Sequence, residues 1–322
     1  MAAIQRKNRK RSRGHSRKIK RVGSIRNMHI PVLQNEVLKY FNPRPDQNFI
    51  DCTFGEGGHA WAILEKVLPK GRVLGIDYSS DLIEKFQKEF AETEIVKNLF
   101  LVCDNFKNLK KIVQKNNFNS ASGVLYDLGT ASWHLEESEK GFSFMREEPL
   151  DMRCEAETEL SAERIVNEFS EENLEKILRE YGEEKFAERI AREIIKARKI
   201  NRIESTFQLV DIIKKATPLW YHHRRIHPAT KTFQALRIAV NDELENLKKS
   251  LPQAVEMLQS GGRLIVISFH SLEDRIVKNF FKQKTKENLI KIITKKPIIP
   301  TDLEMKINPR SRSAKLRVAE KI

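Results

Sequence analysis

The chain has 322 residues, with 59 lysines and arginines against 44 aspartates and glutamates, for a formal charge of +15. A hydrophobic content of 40% supports one large domain or two ordinary ones. No apolar run approaches the roughly 20 residues that span a bilayer, and no secretory signal is visible. Three distant cysteines (Cys52, Cys103, Cys154) argue against a disulfide framework or a zinc site, and each is expected to be a small buried side chain in a reducing interior.

The charge is unevenly placed. Residues 1–26 hold eleven Lys/Arg and no acid. So few large apolar residues cannot form a core, and a disordered arm that gathers phosphates by counterion release is expected. A solvated tail is the alternative. A mitochondrial presequence is disfavoured because too few apolar residues alternate with the arginines. The last forty residues are basic as well, from Lys282 to Arg317. Two basic regions point to a polyanionic partner.

The folded part is expected to begin near Met28-His29-Ile30-Pro31, followed by a short helix through Tyr40. Asn48 to His59 then reads as a strand ending at Asp51, a turn carrying Gly55, Gly57 and Gly58, and a helix opening at Ala60. The next strand, Gly71 to Asp77, ends in an acid about twenty residues past the glycines, where a doubly wound sheet presents a carboxylate to a ribose. An adenosine-bearing ligand follows from the two features together. The turn lacks the Lys-Ser/Thr of a phosphate-cradling loop. Asp51 would repel a pyrophosphate but suits the cationic amino-acid end of S-adenosyl-L-methionine, so a methyl donor is preferred to a dinucleotide.

A helix over 81–90 and strands at Leu99–Val102 and Gly123–Asp127 continue a parallel, two-sided pattern. From Leu135 to Pro218 no strand is expected. Amphipathic helices open instead at Ser161, Ser170, Glu183 and Ser205, as an insertion in the sheet domain. Helices over Thr230 to Leu258, broken at Pro252, lead into a strand at Arg263–Ser268. Strands at Leu289–Ile293 and Lys315–Ala319 follow, the late strand being antiparallel.

Several segments recur together in a known order: His29-Ile-Pro-Val-Leu33, Asp51-Cys-Thr-Phe-Gly-Glu-Gly-Gly-His59, Asp127-Leu-Gly129, Pro149-Leu-Asp-Met-Arg153, the run from His227 to Leu244, Ser268 to Arg275, and Asn308 to Arg317. From His29 to Ile322 the chain closely resembles the bacterial 16S rRNA (cytosine-N4)-methyltransferases of the MraW/RsmH type. The resemblance implies an α/β fold, that of a class I (Rossmann-like) S-adenosylmethionine-dependent methyltransferase, with a seven-stranded sheet and an inserted α-helical subdomain. The methyltransferase domain would be 27–134 with 219–322, and the helical substrate-binding subdomain 135–218. The implied reaction methylates the N4 amine of a decoding-region cytidine, cytidine 1402, in 16S rRNA, within the 30S particle of the cytoplasm. No membrane or metal is implied, and a homodimer is left open.

Carried over by position, the donor site would use Gly57, Gly58, His59, Asp77, Phe106, Asp127 and His134. After Asp127-Leu-Gly, the sequence departs from the family's Val-Ser-Ser-Pro-Gln: it reads Thr130-Ala131-Ser132-Trp133-His134, placing an imidazole that titrates near neutrality where an amide is usual. Candidates for the chemical step are Asp127, Ser132 and Trp133. For RNA they are Arg153, Lys231, Arg237, His270, Ser271, Arg310 and Arg312, with an internal Arg153–Glu243 ion pair as an alternative. A DNA amine methyltransferase is disfavoured by the missing Pro-Pro-Tyr/Trp signature. A non-catalytic ribosome-assembly factor on the same fold is motivated by the altered loop. Deleting residues 1–26 is expected to flatten the salt dependence of RNA binding measured by filter retention; an unaltered slope would count against the arm.

Overall fold

The computed structural model describes residues 30–90, 94–118, 120–155 and 158–322, so the basic arm and Met28-His29 lie outside the described residues. A helix α1 (Gln34–Phe41) precedes β1 (Phe49–Asp51), α2 (Gly58–Val67), β2 (Val73–Asp77), α3 (Ser80–Phe90), β3 (Leu99–Cys103), α4 (Leu109–Lys115) and β4 (Ala121–Asp127). Helices alone follow: α5 (Ser132–Glu136), α6 (Ala162–Glu168), α7 (Glu171–Gly182), α8 (Ala187–Arg198), α9 (Thr206–Ala216), α10 (Leu219–His222), α11 (Thr230–Asn241) and α12 (Glu243–Met257). The chain then returns to β5 (Leu258–Ser268), α13 (Ser271–Lys286), β6 (Ile290–Ile292), α14 (Asp302–Ile307) and β7 (Lys315–Lys321).

The seven strands lie in the order β3-β2-β1-β4-β5-β7-β6, with β7 antiparallel to both neighbours and the others parallel. Strands β1, β2 and most of β4 are buried on both faces, which is why they read as unbroken apolar runs rather than alternating ones. One face carries Leu109, Leu247, Leu251, Val277 and Phe281 from α4, α12 and α13. The other carries Val37, Trp61, Leu64 and Phe86 from α1, α2 and α3. The order reverses between β1 and β4, so a crevice opens at the carboxyl ends of those two strands.

Helices α6 to α9 and α11 bury a separate core, including Ile165, Leu178, Ile190, Ile213 and Phe233. Their starts follow the sequence: Ser161 and Ser170 each accept the backbone N–H three residues on, and Ser205 forms a full capping box with Gln208. Two expected boundaries move. Glu183 does not open a helix; it turns left-handed (φ 48°) after α7, and α8 starts at Ala187. The break expected at Pro252 falls instead at Asp242, also left-handed (φ 51°), and Pro252 sits inside α12. A proline in a helix costs about 3 kcal/mol, but Leu247, Leu251, Ala254 and Val255 of this helix are buried against the sheet, and that packing decides the outcome.

The glycines near the crevice are fitted to one ring. A Cβ on Gly75 would stand 2.5 Å from the Phe54 ring, and one on Gly57 would stand 2.7 Å from its tip. Phe54 is 3% exposed and meets Phe86 edge-on at 4.9 Å. Gly75→Ala is therefore expected to displace Phe54, destabilise the fold by about 1–3 kcal/mol and weaken ligand binding at the turn above it. Urea unfolding checks this; an unchanged midpoint would remove the constraint.

Candidate functional site

At the switch point lies a cavity of about 570 Å³. Its walls come from the turn after β1 (Thr53, Gly55, Gly58, His59), the ends of β2 and β3 (Asp77, Tyr78, Asn105, Phe106), the loop after β4 (Asp127 to Ala131) with His134, and the α11–α12 junction (Arg237, Asn241, Glu243).

Asp77 accepts hydrogen bonds from Gly55 N at 2.8 Å and Ser79 N at 2.9 Å, tying the turns after β1 and β2 together. Burial pushes its pKa up, and these amides oppose the shift. Phe106 is fixed through its carbonyl: Ser250 Oγ donates to it at 2.8 Å and lies 2.5 Å from the Tyr126 hydroxyl. Asp127 N donates to Thr53 Oγ1 at 2.6 Å, which locks the ends of β4 and β1.

Below the turn three ionisable groups meet. Asp51 is 1% exposed and His59 6%. His59 Nε2 lies 3.4 Å from Asp127 Oδ2, close enough for attraction but without hydrogen-bond geometry. Asp51 Oδ2 and both His59 nitrogens are buried without hydrogen-bond partners among the described residues. Burial raises the Asp51 pKa to about 6, against the opposing pull of His59. Of the three, His59 and Asp127 line the cavity, while Asp51 lies beneath it, and carboxylate at this end suits a cationic ligand.

Gly58, His59, Asp77, Phe106, Asp127 and His134 all line the cavity; Gly57 does not, but starts α2 at φ 80°. His134 is 3% exposed, and burial lowers its pKa to about 4, with Lys140 and Arg237 adding to the shift. The expectation that it titrates near neutrality is corrected: the imidazole is neutral there. Trp133 is half-buried, meets the His134 ring edge-on at 5.1 Å and is not one of the residues lining the cavity. The Ser132 side chain lies outside what is described. Cys52 and Cys154 are raised by burial and so are not activated. Cys103, expected to be buried, is exposed.

The expected RNA residues are dispersed. Arg153 pairs with Asp151 at 2.6 Å, and it is Arg237 that pairs with Glu243, at 2.8 Å, which corrects the Arg153–Glu243 alternative. Arg237 also bonds Thr130 and faces the cavity. Lys231 donates to the Glu183 carbonyl at 2.6 Å. Arg310 pairs with Glu136 and reaches the cavity rim. His270, Ser271 and Arg312 line a smaller neighbouring cavity.

Glu243, His270 and Glu273 bring ligand-type atoms within 4.8 Å of one another. Both Glu243 oxygens are held by Arg237. His270 Nδ1 accepts from Glu273 N at 3.4 Å, and its Nε2 lies 3.0 Å from Glu273 Oε1 without hydrogen-bond geometry. The group reads as a helix cap. Glu243, Asn241 and Glu273 were not anticipated as cavity residues. Their sequence signal is Arg237 and Asn241, four apart on one face of α11.

A family model described as the MraW methylase family matches residues 26–322. The chain belongs to that family. Its curated relatives include proteins named ribosomal RNA small subunit methyltransferase H. The one from Clostridioides difficile is 44% identical over 309 residues (91% of this chain, 99% of the relative), and that from Persephonella marina is 46% identical over 295 residues (91% and 99%). Among solved structures, an rRNA methylase from Streptococcus thermophilus aligns over 92% of this chain and 99% of its own at 10% identity and a TM-score of 0.43. For this family the cofactor is S-adenosylmethionine. The residues present fit it: the cavity offers the Asp77 carboxylate at the end of β2, the Phe106 ring, and the Asp127 carboxylate with the unpartnered His59 imidazole beside the glycine turn.

The raised Asp51 pKa has a stability consequence. Because the folded value, about 6, exceeds the unfolded 3.8, the fold binds the extra proton. The penalty is absent below the unfolded pKa, grows as pH rises towards 6 and is constant above, at about 3 kcal/mol. Asp51→Asn is expected to stabilise the chain by about 2 kcal/mol more at pH 7.5 than at pH 4.5. Urea unfolding at the two pH values reads this, and equal effects would refute it.

Proposed function

We propose that the chain transfers a methyl group from S-adenosylmethionine to the N4 amine of a decoding-region cytidine in 16S rRNA, acting on the 30S particle in the cytoplasm. Identity of 44–46% over nearly the whole length of relatives named as small-subunit rRNA methyltransferases carries this reading. The amine reading is supported by the Asp127 carboxylate, which lines the cavity at the end of β4.

Bound in the cavity, the cofactor supplies an electrophilic methyl group. The chain's own part is to place and activate the amine. A cytosine amine is a weak nucleophile because its lone pair is delocalised into the ring. Asp127, partly exposed at the end of β4, is positioned to accept an N–H hydrogen bond, which favours pyramidalisation and frees the lone pair. As the N–C bond forms, the surplus N–H proton passes to that carboxylate. Gly129 N donates to Asp127 Oδ1 at 3.5 Å and helps to orient it. Direct displacement of this kind needs no metal and no covalent intermediate.

The altered loop, which motivates a non-catalytic reading, leaves the cavity open: His134 forms part of its wall, and Trp133 does not line it. Nucleoside mass spectrometry on rRNA from a deletion strain tests the assignment. N4-methylcytidine should vanish, return with the wild-type chain, and fall at least tenfold with Asp127→Asn; persistence of the modification in the deletion strain would sink the proposal. By calorimetry, Asp77→Ala should weaken donor binding by more than tenfold. Unaltered affinity would remove its ribose role.

A further inference from the structure

Away from the cavity, the most exposed aromatic side chain among the described residues is Trp220 in α10, at 54%. Its neighbours hold it without covering it. Phe186 meets the indole at 5.9 Å and 62°, and Tyr221 at 5.8 Å and 90°, so neither ring stacks on its face. Tyr221 is anchored in turn: it is 4% exposed and donates to Glu184 Oε2 at 2.8 Å. The indole is therefore a fixed platform with an open face.

Cations surround the platform. Lys185 Nζ lies 5.7 Å from the indole centroid, and the Arg224 guanidinium lies 5.3 Å from the Tyr221 ring. Arg225, the next residue in the chain, is exposed. No carboxylate of the described residues pairs with any of the three, whereas Arg164, Arg179, Arg192 and Arg202 of the same helical unit all pair with glutamates. Unneutralised cations around an open aromatic face suit a chain of stacked bases joined by phosphates.

The corner is also connected to the cavity. Helix α11 begins a few residues after Arg225 and brings Arg237 to the cavity wall roughly 10 Å along its axis. The turn that carries Glu184 is held to α13 by Glu183, which bonds Ser271 and Arg275.

We infer that Trp220, with Lys185, Arg224 and Arg225, binds a single-stranded RNA segment flanking the methylated nucleotide, with one base stacked on the indole and its phosphates on the cations. The inference rests on the rRNA methyltransferase reading. It is tested with the full chain and a fluorescein-labelled single-stranded oligoribonucleotide of decoding-region sequence, by anisotropy over a range of salt. Trp220→Ala should weaken binding about 5- to 100-fold with the salt slope retained, and Trp220→Phe should restore most of the loss. Arg224→Ala with Arg225→Ala should instead lower the slope by about 1.4. Donor affinity by calorimetry should stay at the wild-type value in every variant, which excludes misfolding. Wild-type RNA affinity in Trp220→Ala overturns the inference. So does a loss confined to whole 30S particles, which would mark the corner as a protein contact. If wild type methylates rRNA while these variants bind normally, the inference alone fails; if wild type methylates none, the functional reading fails first.

Discussion

The carboxylate of Asp77 holds the crevice in shape. Its two oxygens take one amide from each of two consecutive strand-end turns, Gly55 N and Ser79 N. An anion removed from water is costly unless such donors meet it. Here the donors are backbone groups that would otherwise point into the crevice unsatisfied. One interaction thus solves two problems: it keeps a buried carboxylate ionisable, and it fixes the left-handed glycine turn. Lone pairs left over on the same oxygens face the cavity.

A second tie joins the helical unit to the sheet. Helix α11 contributes Phe233 and Leu236 to the helical core, while Ile238 packs with Leu244 and Leu272. Between these contacts, Arg237 grips both oxygens of Glu243 and reaches Thr130 in the loop after β4. A half-buried pair of this geometry contributes little net stability, but losing one partner strands the other. Its importance is positional: the loop after β4 that lines the cavity is held by a residue of the helix that leads from the Trp220 corner.

Much of this was legible in the sequence, for identifiable reasons. Strands ending at Asp51, Asp77 and Asp127 announced themselves because two-sided burial writes unbroken apolar runs, and the serine caps fixed helix starts. What escaped depended on contacts distant in sequence. Arg237 and Thr130 are 107 positions apart. Nothing local marks His134 as buried, or Asp242 rather than Pro252 as the helix break; packing of α12 against the sheet settled the latter. Arg153 and Arg237 were both visible as arginines near acids, but partner choice is a matter of three-dimensional distance.

Strand β7 lies between β5 and β6, so Ile265 and Ile267 find their backbone partners in Val318 and Leu316, some fifty residues later. At translation rates of 5–20 residues per second, the edge of β5 waits roughly 3–10 s for its neighbour to be made. During that interval an apolar ladder of unpaired amides is open to association with other nascent chains. Synthesis therefore passes through a stage in which the strands that carry the cavity have all been made while one edge of β5 still waits for its partner.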